Sequence, residues 1–152
     1  GELTVAENLV LDQIGDFVKN GMLDKAKIEK NAKMLIKEFQ IKASASDHLR
    51  TLSGGNMQKV MLARTLSLKP RVVIASQPTR GLDVGATDYV RTKLLEQRDG
   101  GAAVLLLSED LEEIMALSDR IAVIYSGRIV GTLSAQEATA EKLGLMMAGL
   151  EA

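Results

Sequence analysis

Cysteine is absent from the 152 residues, and histidine occurs once, at His48. Those shortages exclude a disulfide framework, a thiolate metal site, a cysteine nucleophile and a histidine metal centre, and they fit a reducing, cytoplasmic setting. Charge of one sign is also lacking. Lys and Arg number 19 against 20 Asp and Glu, a formal net charge of −1, and no basic stripe forms locally. Nothing in that balance draws the chain to nucleic acid or anionic lipid, so nucleic acid is not an expected partner. No apolar run approaches the roughly 20 residues of a membrane span. The opening "GELTVAENLVLDQIGDF" carries acids where a signal peptide has a basic region followed by an apolar one. What is present, 46% hydrophobic and 26% charged residues, suffices for one domain with a real core and is marginal for two.

From Val5 to Ile41 the apolar residues keep a helical period. Val5, Leu9 and Ile14 give one apolar face, and Ile28, Ala32, Leu35 and Phe39 give another. Two helices with a break at Gly21 are predicted. A polar stretch, "KASASDHLRTLSGGN", follows, and Ser53 stands at an N-cap position before "NMQKVMLARTLSL", a third helix that Pro70 should stop. Past Pro70 the period changes. "VVIA" and "AAVLLL" are short, continuous runs of apolar residues, the pattern of strands buried on both faces, with a helical stretch from Gly85 to Gln97 between them. That is a βαβ unit, which predicts a parallel sheet. In "SEDLEEIMALS", Ser108 is read as a helix cap, with Glu109 and Asp110 in the first turn, where the helix dipole favours acids. "RIAVIYSGRIVGTL" reads as two strands joined at Ser126-Gly127, and Ser134 as the cap of a terminal helix holding Met146 and Met147.

The stretch that points to chemistry is "LSGGNMQK", Leu52 to Lys59. A serine cap followed by two glycines leaves backbone N–H groups bare at a helix start and lets an anion approach the main chain, since no Cβ stands in the way. Alone, the same residues fit an ordinary capped helix after a flexible turn equally well. Ser76 then follows Ser53 by 23 residues at the end of an apolar strand, "QPTRGLD" comes next, and the strand end "LLLSED" places Glu109 32 residues past Gln77.

In that order and at that spacing the chain resembles the nucleotide-binding subunits of ATP-binding cassette (ABC) transporters almost from end to end. "LSGGNMQ" resembles their signature motif, "RVVIAS" the Walker B strand, Gly81-Leu82-Asp83 the D-loop, and Ser108-Glu109 the switch-histidine position. The wording of "IASQPTRGLDVGA" and "LSDRIAVIYSGRIVG" is similar to the second cassette of tandem ATPases that power import of simple sugars and nucleosides. The resemblance implies an α/β fold, a truncated P-loop NTPase core with a mostly parallel sheet plus a helical subdomain. The helical (signature) subdomain would span 3–68, and the C-terminal part of the nucleotide-binding core 69–152. No GxxxxGK[ST] occurs, so the phosphate-loop strand is expected to be missing and Gly1 to be a cloning remnant. Loss of that strand between the runs near 103–107 and 121–125 predicts either a sheet that closes up or self-association through a strand.

By the same resemblance the Walker B strand should end in Asp then Glu, the first serving magnesium and the second polarising the attacking water. Ser76 and Gln77 stand there instead, and Glu109 replaces the switch histidine. No catalytic residue is therefore expected in cis, and no metal ligand. In family dimers ATP lies between the phosphate loop of one cassette and the signature of the other. Ser53, Gly54, Gly55, Asn56 and Gln58 are thus expected to face a nucleotide held by a partner cassette, with the D-loop Asp83 also working across the interface. ATP and Mg2+ are implied for the intact protein, with neither expected to be bound by this stretch alone. Transmembrane permease subunits are implied as direct partners and a substrate-binding lipoprotein as an indirect one, at the cytoplasmic face of the cell membrane. Two alternatives are a non-catalytic regulatory or assembly cassette, which gives no reason for the paired glycines, and a non-transport ABC ATPase such as those of DNA repair or translation.

Other residues invite plainer readings. His48 lacks a second ligand nearby and reads as a surface or packing residue. Met22, Met34, Met57, Met61 and Met115 fit helical patterns as core fillers, whereas the pair Met146 and Met147 suggests an exposed surface. Glu109, Asp110, Glu112 and Glu113 read as a solvated helical turn.

Overall fold

Thr4 opens the first helix, α1 (Val5–Val10), with a reciprocal cap. Its hydroxyl accepts from the Glu7 N–H at 3.3 Å while its own N–H donates to the Glu7 carboxylate at 2.8 Å. Residues 2–150 are described in this computed structural model. After α1 the chain tightens into 3₁₀ geometry over Leu11–Phe17 and then reverses in a miniature hairpin, β1 (Val18–Lys19) antiparallel to β2 (Met22–Leu23). Asn20 and Gly21 have φ of +51° and +78°. A type I′ turn needs left-handed backbone at both central residues, which is why Asn-Gly occupies it. The expected break between two helices is thus a hairpin, and Ile14 is exposed rather than part of the apolar face.

Asp24 caps α2 (Lys25–Glu38), which buries Ile28, Ala32 and Leu35, with Phe39 buried just past its end. Ser53 caps α3 (Gly54–Leu66), which ends at Ser67, ahead of Pro70. After β3 (Val72–Ser76), Asp83 caps α4 (Val84–Asp99), which buries Ala86, Val90 and Leu94. Two compact units result. One holds the residues up to Val72 together with Thr79–Ala103, and the other holds Val73–Pro78 and the residues from Val104 onward.

Apart from Val72 and Ala103, β3 and its partner β4 (Ala103–Leu107) belong to the second unit. The Ala103 N–H donates to the Arg71 carbonyl at 2.9 Å and the Gln77 N–H to the Leu107 carbonyl at 2.8 Å, so both partners rise together and the pair is parallel. The strands are not buried on both faces as expected. Val72 and Ile74 are exposed at 60% and 69%, and Leu105 and Leu107 are exposed too, so one face has no cover among the described residues. Nor does the sheet close up. Among the described residues β5 (Arg120–Tyr125) pairs only with β6 (Arg128–Ser134), in an antiparallel hairpin separate from β3–β4. Ser126 and Gly127, at φ +48° and +74°, form its turn.

The core of this unit joins Ile121 and Val123 of β5 to Ala138 and to Leu143 and Met146 of α6 (Ala140–Met147). Met146 is therefore buried, its methyl occupying the space over Gly131, and only Met147 of the expected exposed pair lies at the surface. The other methionines reverse the expectation: Met22, Met34, Met61 and Met115 are exposed, and Met57 is half-buried. Met22 lies in the β1–β2 hairpin rather than in a helix, and the helices that carry Met34, Met61 and Met115 bury one face only, which these residues fall outside. Two caps also differ from those read in the sequence. Asp110, not Ser108, caps α5 (Leu111–Leu117), accepting from the Glu112 and Glu113 N–H groups, and Thr139, not Ser134, caps α6. Ser134 instead hydrogen-bonds Glu137 locally. Glu113, expected in solvent, is fully buried. No helix among the described residues is long and apolar enough to cross a membrane.

Candidate functional site

Extended backbone at Ser53, φ −63° and ψ 155°, turns the chain into α3 and points the serine hydroxyl back over the first turn. Ser53 Oγ accepts from the Asn56 N–H at 3.4 Å and from Asn56 Nδ2 at 3.0 Å. The other face of the Asn56 amide is engaged as well, its Oδ1 accepting from the Lys42 N–H at 2.8 Å. The Gly54 and Gly55 N–H groups have no acceptor among the described residues. Ser53 and Gly54 are exposed and Gly55 is half-buried, so the serine hydroxyl and two bare N–H groups stand at the positive end of a 13-residue helix. Gln58 lies half-buried one turn further on.

The Gly81-Leu82-Asp83 loop is brought beside this helix start. Gly81 has φ +74°, a conformation that side chains disfavour, and the turn closes through the Leu82 N–H donating to the Thr79 carbonyl at 3.1 Å. Asp83 Oδ1 accepts from the Ala86 N–H at 2.9 Å, capping α4. A Cβ placed on Gly54 would meet Leu82 Cδ2 at 3.9 Å, and one on Gly55 would meet the Ala86 Cβ at 3.0 Å. Two helix N-termini therefore adjoin, and a glycine is needed at the point where they touch.

Behind them lies a cluster that no sequence pattern indicated. The Tyr89 hydroxyl of α4 donates to the Phe39 carbonyl at 2.8 Å, and Lys59 of α3 donates to the Gln40 carbonyl at 3.2 Å with its ammonium 4.3 Å from the Tyr89 ring centre. Lys93 lies 5.7 Å from both the Phe39 and Tyr89 rings. These contacts satisfy carbonyls at the C-terminal end of α2, where positive charge is favoured, and fasten α2, α3 and α4 together. Burial, followed by the carboxylates of Glu96 and Glu38, pushes the Tyr89 hydroxyl up to about 12. The only sequence signal was that two of the four Phe and Tyr residues in the chain stand here.

In the second unit the parallel pair gathers the other candidates at its carboxyl end. The Gln77 N–H is bonded to Leu107, so Ser76 and Gln77 adjoin the segment that leads through Ser108 to the exposed Glu109. Gln77 is held at φ +48° ahead of the buried Pro78. A serine hydroxyl and an amide carry no charge near neutral pH, and among the described residues no group of three or more His, Cys, Asp or Glu could hold a metal ion. His48 is exposed and its ring Nδ1 hydrogen-bonds the Glu2 carbonyl at 2.7 Å, a packing role as expected.

Comparison with known proteins adds to this geometry. The family model described as ABC transporter matches residues 1–80. The guanosine import ATP-binding protein NupO of Bacillus subtilis is 48% identical over 151 residues, covering 97% of this chain and 30% of its own length. The nucleoside import ATP-binding protein NupA of Lactococcus lactis is 44% identical at the same coverage. The ribose import ATP-binding protein RbsA of Bacillus subtilis is 39% identical over 149 residues, also at 97% and 30%. The chain thus spans about a third of the length of these curated relatives. Among solved structures, the ATP-binding cassette MJ0796, a dimer bound to ADP and phosphate, superposes with a TM-score of 0.71 at 25% identity over 88% of this chain and 57% of that one. An inward-facing metal-chelate type ABC transporter gives 0.80 over 99% and 60%, but at 13% identity it speaks to the fold alone.

Proposed function

We propose, from the premise that this chain belongs to the ABC transporter family, that it is part of an ATPase coupling ATP binding and hydrolysis to import of a simple sugar or nucleoside. The relatives named for guanosine, nucleoside and ribose import support that choice of solute. Within such an ATPase the chain serves as the C-terminal part of a second, degenerate cassette, with a helical signature subdomain over 3–68 and core residues over 69–152.

One observation carries the reading: donors and acceptors are divided between the two ends of the chain's chemistry. At α3, Ser53, Gly54 and Gly55 present hydrogen-bond donors at a positive helix end, which suits phosphate oxygens. These residues, with Asn56 and Gln58 near them and Asp83 on the adjoining loop, act on ATP whose phosphates are held by a partner cassette. At β3, Ser76 and Gln77 offer no carboxylate to a hard cation such as magnesium, and Glu109 would place negative charge where a γ-phosphate is read. An amide cannot take a proton from water, and loss of a general base alone costs roughly 10² to 10⁴ in rate. This cassette's own site therefore idles while its signature completes the partner's. ATP and Mg2+ belong to that composite site. Permease subunits, and through them a substrate-binding lipoprotein, complete the assembly on the inner face of the membrane.

The test uses the full-length ATPase with its permease. Ser53→Arg is expected to abolish transport and coupled hydrolysis, because a long cation would fill the phosphate position. Gln77→Ala is expected to leave turnover close to the parent value. Unchanged transport in the first variant, or abolished turnover in the second, overturns the division of labour. The 152-residue chain alone should show no ATP turnover, and multiple turnovers per minute would contradict the reading.

A further inference from the structure

We propose that Asn56 is a positioning residue that locks the Ser53 hydroxyl as an outward hydrogen-bond donor, a step that rests on the nucleotide-facing reading of α3 and deepens it. Lys42 fixes the orientation of the Asn56 amide. A backbone N–H can only donate, so the Asn56 atom 2.8 Å from the Lys42 nitrogen is the carbonyl oxygen Oδ1. That fixes the amide orientation by chemistry, and the atom facing Ser53 Oγ at 3.0 Å is therefore the NH₂ group. Lys42 is itself well anchored, since it follows buried Ile41, whose N–H donates to the Ile36 carbonyl at 2.9 Å.

A serine hydroxyl has two lone pairs and one hydrogen. Asn56 engages it twice, through its backbone N–H at 3.4 Å and its amide at 3.0 Å, so both acceptor positions of Ser53 are taken. An ordinary serine cap uses only the first of these bonds and keeps a lone pair for water. Here only the hydrogen is left, and Ser53 is exposed, so the hydroxyl can offer nothing but a donor to solvent. The bare Gly54 and Gly55 N–H groups add two donors beside it, and although Asp83 Oδ2 stands 3.8 Å from where a Gly55 Cβ would lie, three convergent donors suit the oxygens of a phosphate.

The experiment is a double-mutant cycle in the full-length ATPase with its permease, reading KM for ATP and kcat for Ser53→Ala, Asn56→Ala and the double variant, with thermal midpoints alongside. Each single change is expected to lower kcat/KM about tenfold or more, the scale of a hydrogen bond to a charged group. The double variant should fall no more than about twofold below either, because Asn56 acts through Ser53. Asn56→Asp is the second probe. It keeps the Lys42 acceptor but turns an oxygen toward Ser53, which must then direct its hydrogen inward. The change should lower kcat/KM in the parent and have much less effect in the Ser53→Ala background. If Ser53→Ala alone changes nothing, the nucleotide-facing reading fails and this inference fails with it. If Ser53→Ala is damaging while Asn56→Ala is harmless or strictly additive, only the role of Asn56 is overturned.

Discussion

Gly55 of α3 approaches Ala86 of α4 so closely that a Cβ on the glycine would stand 3.0 Å from the alanine Cβ. Few methyl pairs come that near, so an added methyl must push the two helix starts apart. Gly54, one residue earlier, has ordinary room, with Leu82 Cδ2 at 3.9 Å.

That difference predicts opposite responses to one substitution. Replacing a helical glycine by alanine stabilises by roughly 0.5–1 kcal/mol through backbone entropy. Overpacking costs about 1–3 kcal/mol. Gly54→Ala should therefore be neutral or slightly stabilising in a urea titration, while Gly55→Ala should lose about 1 kcal/mol and recover much of it in combination with Ala86→Gly. A Gly55→Ala protein as stable as the Gly54→Ala one would remove the steric account of the paired glycines.

Asp83 separates structure from charge in the neighbouring loop. Its carboxylate caps α4 through the Ala86 N–H at 2.9 Å. Loss of such a cap costs about 1 kcal/mol, whereas asparagine caps as well as aspartate. Asp83→Ala should thus lower the unfolding midpoint and Asp83→Asn should not. If Asp83 also works across a cassette interface by its charge, Asp83→Asn will reduce ATPase activity of the full-length protein with stability intact. Equal activity in parent and Asp83→Asn would confine this residue to capping.

Short-range physics was legible in the sequence where one residue type answers one local need. The Ser53 cap, the buried row Ile28, Ala32 and Leu35, and the Ser126-Gly127 turn are of that kind. Ambiguity arose where several candidates stood close together. Ser108 and Asp110, or Ser134 and Thr139, can each cap a helix, and packing of the helix that follows chooses between them. The break at Gly21 was legible, but not that Asn20 and Gly21 together turn a hairpin, because the helical period on either side masks two strands of two residues each. One-sided burial could not be read from apolar character alone, so Met34 and Ile74 are exposed and Glu113 is buried against expectation. In the candidate site the Ser53 cap and the helix it opens were legible, whereas the Lys42–Asn56–Ser53 relay and the Gly55–Ala86 contact join segments through tertiary packing.

Gln77 is held in the left-handed region at φ +48°, immediately before Pro78, with its N–H bonded to Leu107 at 2.8 Å. A side chain in that conformation costs on the order of 1 kcal/mol, and a β-branched one costs more. Gln77→Gly should therefore hold or raise stability by up to about 1 kcal/mol, and Gln77→Val should lower it by more than that. Introducing a carboxylate with Gln77→Glu leaves the backbone demand unchanged and should shift the unfolding midpoint little. A Gln77→Val protein as stable as the parent would mean the strand end relaxes to an ordinary conformation.

Tyr89 makes the packing of α2 against α4 readable by pH. Its hydroxyl donates to the Phe39 carbonyl, and burial, ahead of the Glu96 and Glu38 carboxylates, moves it from 10.0 to about 12. The phenol stays neutral in the folded chain over a range in which the unfolded chain already ionises. Its contribution to stability is therefore whole below pH about 10 and is lost as pH rises toward about 12. The Lys59 and Lys93 ammonium groups face the same ring at 4.3 and 5.7 Å, so their contacts share the site but sit on the ring face rather than at the hydroxyl. Tyr125→Phe leaves Tyr89 as the sole tyrosine, and its ionisation can then be followed by tyrosinate absorbance. The expected result is a midpoint well above 10 while the circular dichroism remains native, falling to the ordinary tyrosine value in urea. Tyr89→Phe should flatten the decline in stability between pH 10 and 12. A native-state midpoint near 10 would show that the hydroxyl is solvated and that the Phe39 bond does not fasten α4 to the end of α2.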